Sequence, residues 1–349
     1  MFRLSEFLSP RPEPLWDLVR QAGVTDVVAL LQGAEQEQRM FASLQNGRLH
    51  HHRVDQLPWS EASIARDQAV FAEAGFTVVA IEDTVPMDRI RMGLPGRDED
   101  IAAIIQQLEA MGNLGIRVLC YNWMALSSWS RTAVDVRSRG GALVTGFRQA
   151  DAEALPEVEH PAVEHDQMWD ALEYFLRAVI PVAERAGVRL GMHPDDPPLP
   201  RLRGVPRIMG SADAYRRLLS IDPSPSNGVT FCQGNFTLMD GDVPSMIREF
   251  GPRIRFVHFR NVRGTASDFV ETFHDDGQLD MLECMRAYQE VGFDGPLRPD
   301  HVPTMAGERN ERPGYETLGR LFALGYARGL GQAVYAPSAS DRTAAPVPS

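Results

Sequence analysis

Lysine is absent from this chain of 349 residues, and arginine carries all of its permanent positive side-chain charge. Cysteine is sparse: Cys120, Cys232 and Cys284 are the whole set, and no two stand in a CxxC spacing. An odd, sparse count excludes a disulfide framework and fits free thiols in a reducing compartment, so a cytoplasmic location is expected. No apolar run is long enough to cross a bilayer, and the first seven residues lack a charged stretch followed by an apolar core. Neither a membrane span nor a signal peptide is therefore expected. Runs of basic residues are missing and the formal net charge is -12, which disfavours nucleic acid as a partner. No GxGxxG opens a strand-helix turn, so a dinucleotide fold has no support. Internal repeats are absent, and the one low-complexity stretch is residues 336–349, rich in Ala, Ser and Pro and expected to be a flexible tail.

What is present is ordinary globular composition, 44% hydrophobic and 23% charged. A helix-glycine-strand phrase recurs along the chain. Amphipathic stretches at 59–74, 97–113 and 167–186 end in Gly75, Gly115 and Gly187, and β-branched runs follow each glycine. Strands are expected at 24–30, 76–81, 116–121, 188–193, 229–232, 255–258, 269–273 and 296–300. Apolar strands alternating with helices indicate a parallel sheet covered by helices, and eight of them favour a single α/β domain, a closed (β/α)8 TIM barrel over residues 1–335. Two connections, 31–59 and 125–165, are too long for simple turns and are expected to be lids or substrate walls.

The chemistry-bearing residues stand at the ends of the later strands. His193 opens His-Pro-Asp-Asp-Pro-Pro, Cys232 ends Gly-Val-Thr-Phe-Cys, His258 precedes Phe-Arg-Asn, and Asp300 lies in Arg-Pro-Asp-His. A parallel barrel brings such ends to one rim, so two imidazoles, a thiol and a carboxylate are expected to converge. That mixed set suits a first-row divalent cation better than Ca²⁺. Taken singly, Cys232 reads better as a buried small hydrophobe, while a core histidine and a turn cap describe His258 and Asp300 as well as ligation does. Taken together, four ligand-capable residues at four strand ends are hard to obtain by chance. Cys120 reads as barrel filling and Cys284 as helix packing.

Asn122, Arg207, Arg260 and Asn261 belong to the same rim and suit a carboxylate or hydroxyl. Glu271 and His274 are either substrate contacts or a solvated turn. Asp195 and Asp196 are either groups that orient His193 or plain loop charges. His301 follows Asp300, so its side chain points elsewhere and is available to move protons, with Tyr315 as a candidate opposite it. A cation, a histidine and a tyrosine on one rim match proton abstraction beside a carboxylate and protonation of a departing hydroxyl.

Cys-Tyr-Asn-Trp-Met at 120–124, Trp-Ser-Arg-Thr at 129–132, His-Pro-Asp-Asp-Pro-Pro at 193–198, Gly-Val-Pro-Arg-Ile at 204–208, Arg-Pro-Asp-His at 298–301 and Pro-Gly-Tyr at 313–315 together resemble the mannonate dehydratase family. The resemblance implies a barrel of the xylose-isomerase-like kind and loss of water from D-mannonate to give 2-dehydro-3-deoxy-D-gluconate. It implies Mn²⁺, with Fe²⁺, Co²⁺ and Mg²⁺ as alternatives, on His193, Cys232, His258 and Asp300, and proton transfer by His301 and Tyr315. The chain departs from the family where it has Glu82-Asp-Thr-Val-Pro86 in place of Glu-Ser-Ile-Pro, Trp-Met-Ala after Asn122, and Gln-Gly-Asn after Cys232. Those are substrate-wall positions, so another aldonate is the first alternative. A sugar isomerase or epimerase comes next, disfavoured by the cysteine and by the missing lysine, and a non-catalytic sugar-acid binding protein last. A homo-oligomer paired through outer helices is compatible with such a barrel.

Overall fold

The computed structural model describes residues 1–31, 57–239 and 241–335. Eight strands close into a barrel: β1 (Arg3–Leu8), β2 (Asp26–Ala29), β3 (Thr77–Ile81), β4 (Val118–Asn122), β5 (Arg189–His193), β6 (Asn227–Cys232), β7 (Ile254–Phe259) and β8 (Pro296–Pro299). Each pairs in parallel with its sequence neighbours, and β1 closes on β8. Helices on the outside follow the strands, among them Glu61–Glu73, Arg97–Asn113, His165–Ala186 and Thr317–Tyr335. Side chains of Ser60, Ser211, Asp242 and Asp280 accept a backbone N–H at helix starts, which satisfies donors the helix cannot. Gly187 stops the longest helix at φ 66°, a conformation costly for any residue with a Cβ.

Period-2 alternation sorts the strand side chains. Val27, Leu119, Leu190, Val229, Val257 and Leu297 face outward into the layer shared with the helices. Phe7, Val28, Ala80, Val118, Cys120 and Phe256 fill the barrel itself, with Trp129 and Tyr315 joining them. Cys120 is thus barrel filling, and Cys284 is buried on the helix Met281–Glu290.

Three expectations change. The run at 24–30 holds the second barrel strand, because β1 lies earlier. Ser5 and Glu6 disguise β1 as polar; both are buried, Ser5 donating to the Leu297 carbonyl at 3.1 Å and Glu6 accepting from the Phe7 amide at 2.8 Å. The expected strand at 269–273 is no part of the barrel. It is Asp268–Glu271, in a separate antiparallel sheet ordered Val262–Thr265, Asp268–Glu271, Leu143–Arg148, Ala133–Arg137. The long connection 125–165 therefore supplies two strands of that sheet in place of an irregular lid. Residues 32–56 of the other long connection, and the tail at 336–349, lie outside the described residues.

Candidate active site

Barrel register alone levels the strand ends. Asn122 of β4 pairs with His193 of β5, Cys232 of β6 with His258 of β7, and His258 with Arg298 of β8. One donor atom each from His193, Cys232 and His258 falls within 4.8 Å of the others. His193 Nε2 lies 3.2 Å from His258 Nδ1, and Asp300 Oδ2 lies 3.7 Å from that same nitrogen. Arg260 Nε links the remaining pair, 3.3 Å from Cys232 Sγ and 3.2 Å from Asp300 Oδ2.

The donor chemistry of this group fits a first-row divalent cation. His193 Nδ1 meets the Pro194 carbonyl at 2.7 Å, so the hydrogen sits on Nδ1 and the Nε2 lone pair turns inward. Burial pushes the His193 imidazole below its ordinary range, which keeps that lone pair available. The far nitrogen of His258, Nε2, approaches Glu82 Oε1 to 3.3 Å, a carboxylate behind an imidazole, as second-layer carboxylates stand in metal sites. Burial alone would raise Asp300, but His301, Arg298, His258 and Arg260 outweigh it and hold the carboxylate well below its usual range. Glu82 is committed twice more, to Arg298 through two bonds of 2.9 Å, and is held at about 2 against its burial by Arg298 and His258.

Beside the donors lies a closed ring of four buried charges. Arg131 donates to Asp196 at 2.6 and 3.1 Å and to Glu271 at 2.5 Å. Arg260 donates to Asp196 at 2.9 Å and also to Glu271. None of the four side chains is more than 2% exposed, and their charges cancel. Burial would lift both carboxylates; the two arginines override it, holding Glu271 at about 2 and Asp196 low as well. Asp196 thus serves the ring and does not orient His193. Asp195 likewise accepts from the Met209 amide at 2.6 Å and pairs with Arg207 at 3.4 Å.

His301 touches both sets. Its Nδ1 lies 3.0 Å from Arg131 Nη2 and 3.1 Å from Glu271 Oε1, and its Nε2 lies 3.7 Å from Asp300 Oδ1. Tyr315 donates its hydroxyl to that same Asp300 oxygen at 3.1 Å. Burial, and then the Asp300 charge, hold the Tyr315 phenol well above its ordinary range, so it keeps its proton. The Trp129 ring packs beside both, 4.6 Å from His301 and 6.1 Å from Tyr315.

The other rim residues divide. Arg260 and Glu271 sit among the donors and the ring. Asn122 spends its side-chain oxygen on Arg91 at 2.9 Å and the Met124 amide at 3.0 Å. Arg207 is buried and clamps loops, reaching Ser127 Oγ at 2.7 Å as well as Asp195. Asn261, expected to contact substrate, has its amide engaged by the backbone. Its oxygen accepts from the Val262 and Leu279 amides and its amino group donates to the His274 and Leu279 carbonyls, so no bonding capacity remains. His274 packs near the Phe259 ring at 6.2 Å, and burial pushes it down to about 4. Sequence reasoning gave Arg131 and Arg298 no role of their own and read Glu82 only as part of a substrate wall. The strand-end rule applied to β3 would have found Glu82, the residue after Ile81.

The profile of the D-mannonate dehydratase family matches residues 15–160 and 157–340. The chain belongs to the D-mannonate dehydratase family. Mannonate dehydratase 1 of Halalkalibacterium halodurans is 35% identical over 293 residues, covering 74% of this chain and 81% of its own. The mannonate dehydratase of Enterococcus faecalis is 34% identical over 313 residues, 80% of this chain and 87% of its own. The crystal structure of mannonate dehydratase from Streptococcus suis serotype 2 superposes with a TM-score of 0.83 at 28% identity, covering 100% of this chain and 96% of that one. An L-ribulose 3-epimerase superposes at 0.59 with 16% identity, which for a mannonate dehydratase family member speaks to the shared barrel alone.

Proposed function

We propose that this protein dehydrates D-mannonate to 2-dehydro-3-deoxy-D-gluconate, as a hydro-lyase using Mn²⁺. The observation that carries the reading, beside family membership, is the placement of His301 Nε2 and the Tyr315 hydroxyl on one oxygen of Asp300, next to the cluster of His193, Cys232 and His258. His193, Cys232, His258 and Asp300 would hold the ion. When bound, it would offset the negative charge that builds on the substrate carboxylate as the neighbouring proton leaves.

The remaining work falls to side chains. His301 takes the C2 proton through Nε2. Tyr315 gives its proton to the C3 hydroxyl, the C3–O bond breaks, and water departs. The resulting enol becomes the 2-keto acid by giving up its hydroxyl proton while C3 gains one. The proton gained by His301 balances the one lost by Tyr315, so the two groups reset by exchange with solvent. Arg131, Asp196, Arg260 and Glu271 keep the rim rigid and dry around this step. The test is turnover of a panel of C6 and C5 aldonates, with Mn²⁺ restored after chelation and 2-keto acid read as its semicarbazone. D-Mannonate is expected to be the best substrate. Loss of water from no aldonate in the panel would refute the reading.

A further inference from the structure

His301 Nδ1 lies between a donor, Arg131 Nη2 at 3.0 Å, and an acceptor, Glu271 Oε1 at 3.1 Å. Counting hydrogens decides between them. Arg131 Nη1 has two and meets two acceptors, the Ser130 carbonyl at 2.7 Å and Asp196 Oδ1 at 2.6 Å. Arg131 Nη2 has two, and two carboxylate oxygens claim them, Glu271 Oε1 at 2.5 Å and Asp196 Oδ2 at 3.1 Å. Charged acceptors hold a guanidinium hydrogen more strongly than a neutral ring nitrogen does. None is left for His301, so Nδ1 carries its own hydrogen and gives it to Glu271. In the neutral ring that a base requires, the lone pair is then on Nε2, the nitrogen facing Asp300 and the Tyr315 hydroxyl.

We propose that Glu271 is a positioning residue: it fixes His301 as the Nδ1–H tautomer and so aims a basic Nε2 at the substrate. This rests on the dehydratase reading above and adds to it the source of the base's orientation. Glu271 is suited to the part because it cannot swing away. It is 1% exposed and both Arg131 and Arg260 grip its Oε1. It arrives on the strand Asp268–Glu271, whose residues pair with Leu143–Arg148. The histidine is equally constrained. His301 has φ 40°, a left-handed backbone that a non-glycine residue adopts only when its surroundings enforce it. Trp129 and Tyr315 flank its ring, with centroids at 4.6 and 5.5 Å. The two rings crowd it in edge contacts and Glu271 holds its end.

The experiment compares three variants of the Mg²⁺-loaded protein labelled with ¹⁵N-histidine, the His301 signals being assigned by their loss in His301→Asn. Glu271→Met removes the acceptor at similar volume and frees an Arg131 hydrogen, which turns to Nδ1 and drives the proton to Nε2. Glu271→Gln keeps an acceptor oxygen and retains the Nδ1–H form. Asp196→Asn withdraws charge from the same two arginines without touching His301, and also retains it. Activity on D-mannonate with Mn²⁺ is expected to follow the tautomer: kcat falls roughly a hundredfold in E271M and less than about tenfold in E271Q, while KM moves by less than about threefold in both. If E271M does not fold, E271D, which keeps the charge and withdraws the oxygen by one methylene, takes its place with the same expectation. The proposal is overturned if the variant lacking the acceptor keeps Nδ1–H, or if Asp196→Asn changes tautomer and kcat as much. A wild type that turns over no aldonate refutes the dehydratase reading instead, and leaves the tautomer comparison standing.

Discussion

Two sets of four residues share the top of the barrel, and they are partnered in opposite ways. His193, Cys232 and His258 bring ligand atoms within 4.8 Å of one another, with Asp300 3.7 Å from His258 and two imidazole nitrogens only 3.2 Å apart. Arg131, Asp196, Arg260 and Glu271 alternate in sign, so every charge meets its opposite within hydrogen-bonding distance. Converging acceptors are stable only around positive charge; an alternating ring is complete in itself. The first set therefore has the makeup to hold a cation, and in the second the charges are already balanced. Arg260 joins them, since its Nε reaches Cys232 and Asp300 while its two terminal nitrogens close the ring.

The largest effect expected from that division is on activity. Cys232→Ser keeps the volume and removes the soft donor, so Mn²⁺ affinity and turnover should each fall by roughly a hundredfold or more. Chemical stability to urea should stay close to wild type, because nothing in the ring is lost. A serine variant that binds and turns over normally would break the comparison, by making the thiol a packing group. The ring should respond the other way. Asp196→Leu leaves two buried guanidiniums facing one carboxylate, and the expected loss is about 3–5 kcal/mol in urea unfolding. A variant of unchanged stability would mean that the ring is not the framework.

Acid sharpens the same contrast. Glu82 is held at about 2, below its ordinary 4.5, so its folded form takes up a proton later than its unfolded form. Its contribution to stability is complete above 4.5 and disappears as pH falls toward 2. The stability difference between wild type and Glu82→Gln should accordingly be widest at neutral pH and close through that window. Urea melts at pH 7, 4 and 3 read it directly, and a gap that widened on acidification would reverse the sign.

The division also accounts for what could be read from the chain alone. That His193, Cys232, His258 and Asp300 lie near one another was legible because each stands at a strand end, and barrel topology converts strand ends into neighbours without any further information. The ring was not legible. Glu271 ends one strand and Arg131 precedes another of an antiparallel sheet whose halves come from distant connections, and no local pattern announces such pairing. β1 was hidden for a related reason: Ser5 and Glu6 are buried by virtue of partners at Leu297 and Phe7, so their polarity misled a reading based on apolar runs. Asn261 shows the converse case. Its amide was read as suited to a carboxylate or hydroxyl, and four backbone groups engage it.

A smaller change tests whether Arg260 really is the rigid link between the two sets. Gly234 follows β6 in the short helix Gln233–Thr237, and a Cβ there would stand 2.7 Å from the Arg260 guanidinium carbon and from its Nε. Its backbone is not in the left-handed region, so alanine meets only a steric objection. A surface arginine would step aside at little cost. Arg260 has nowhere to go, because Asp196 and Glu271 hold its far end and Cys232 its near one. Gly234→Ala should therefore cost about 1–3 kcal/mol as overpacking and disturb the Cys232 sulfur at the same time. Urea melts give the first quantity, and the charge-transfer absorption of the Co²⁺-loaded protein gives the second. Full stability together with an unaltered cobalt spectrum would show that the guanidinium moves freely, and the ring could then no longer be what holds the donors in place.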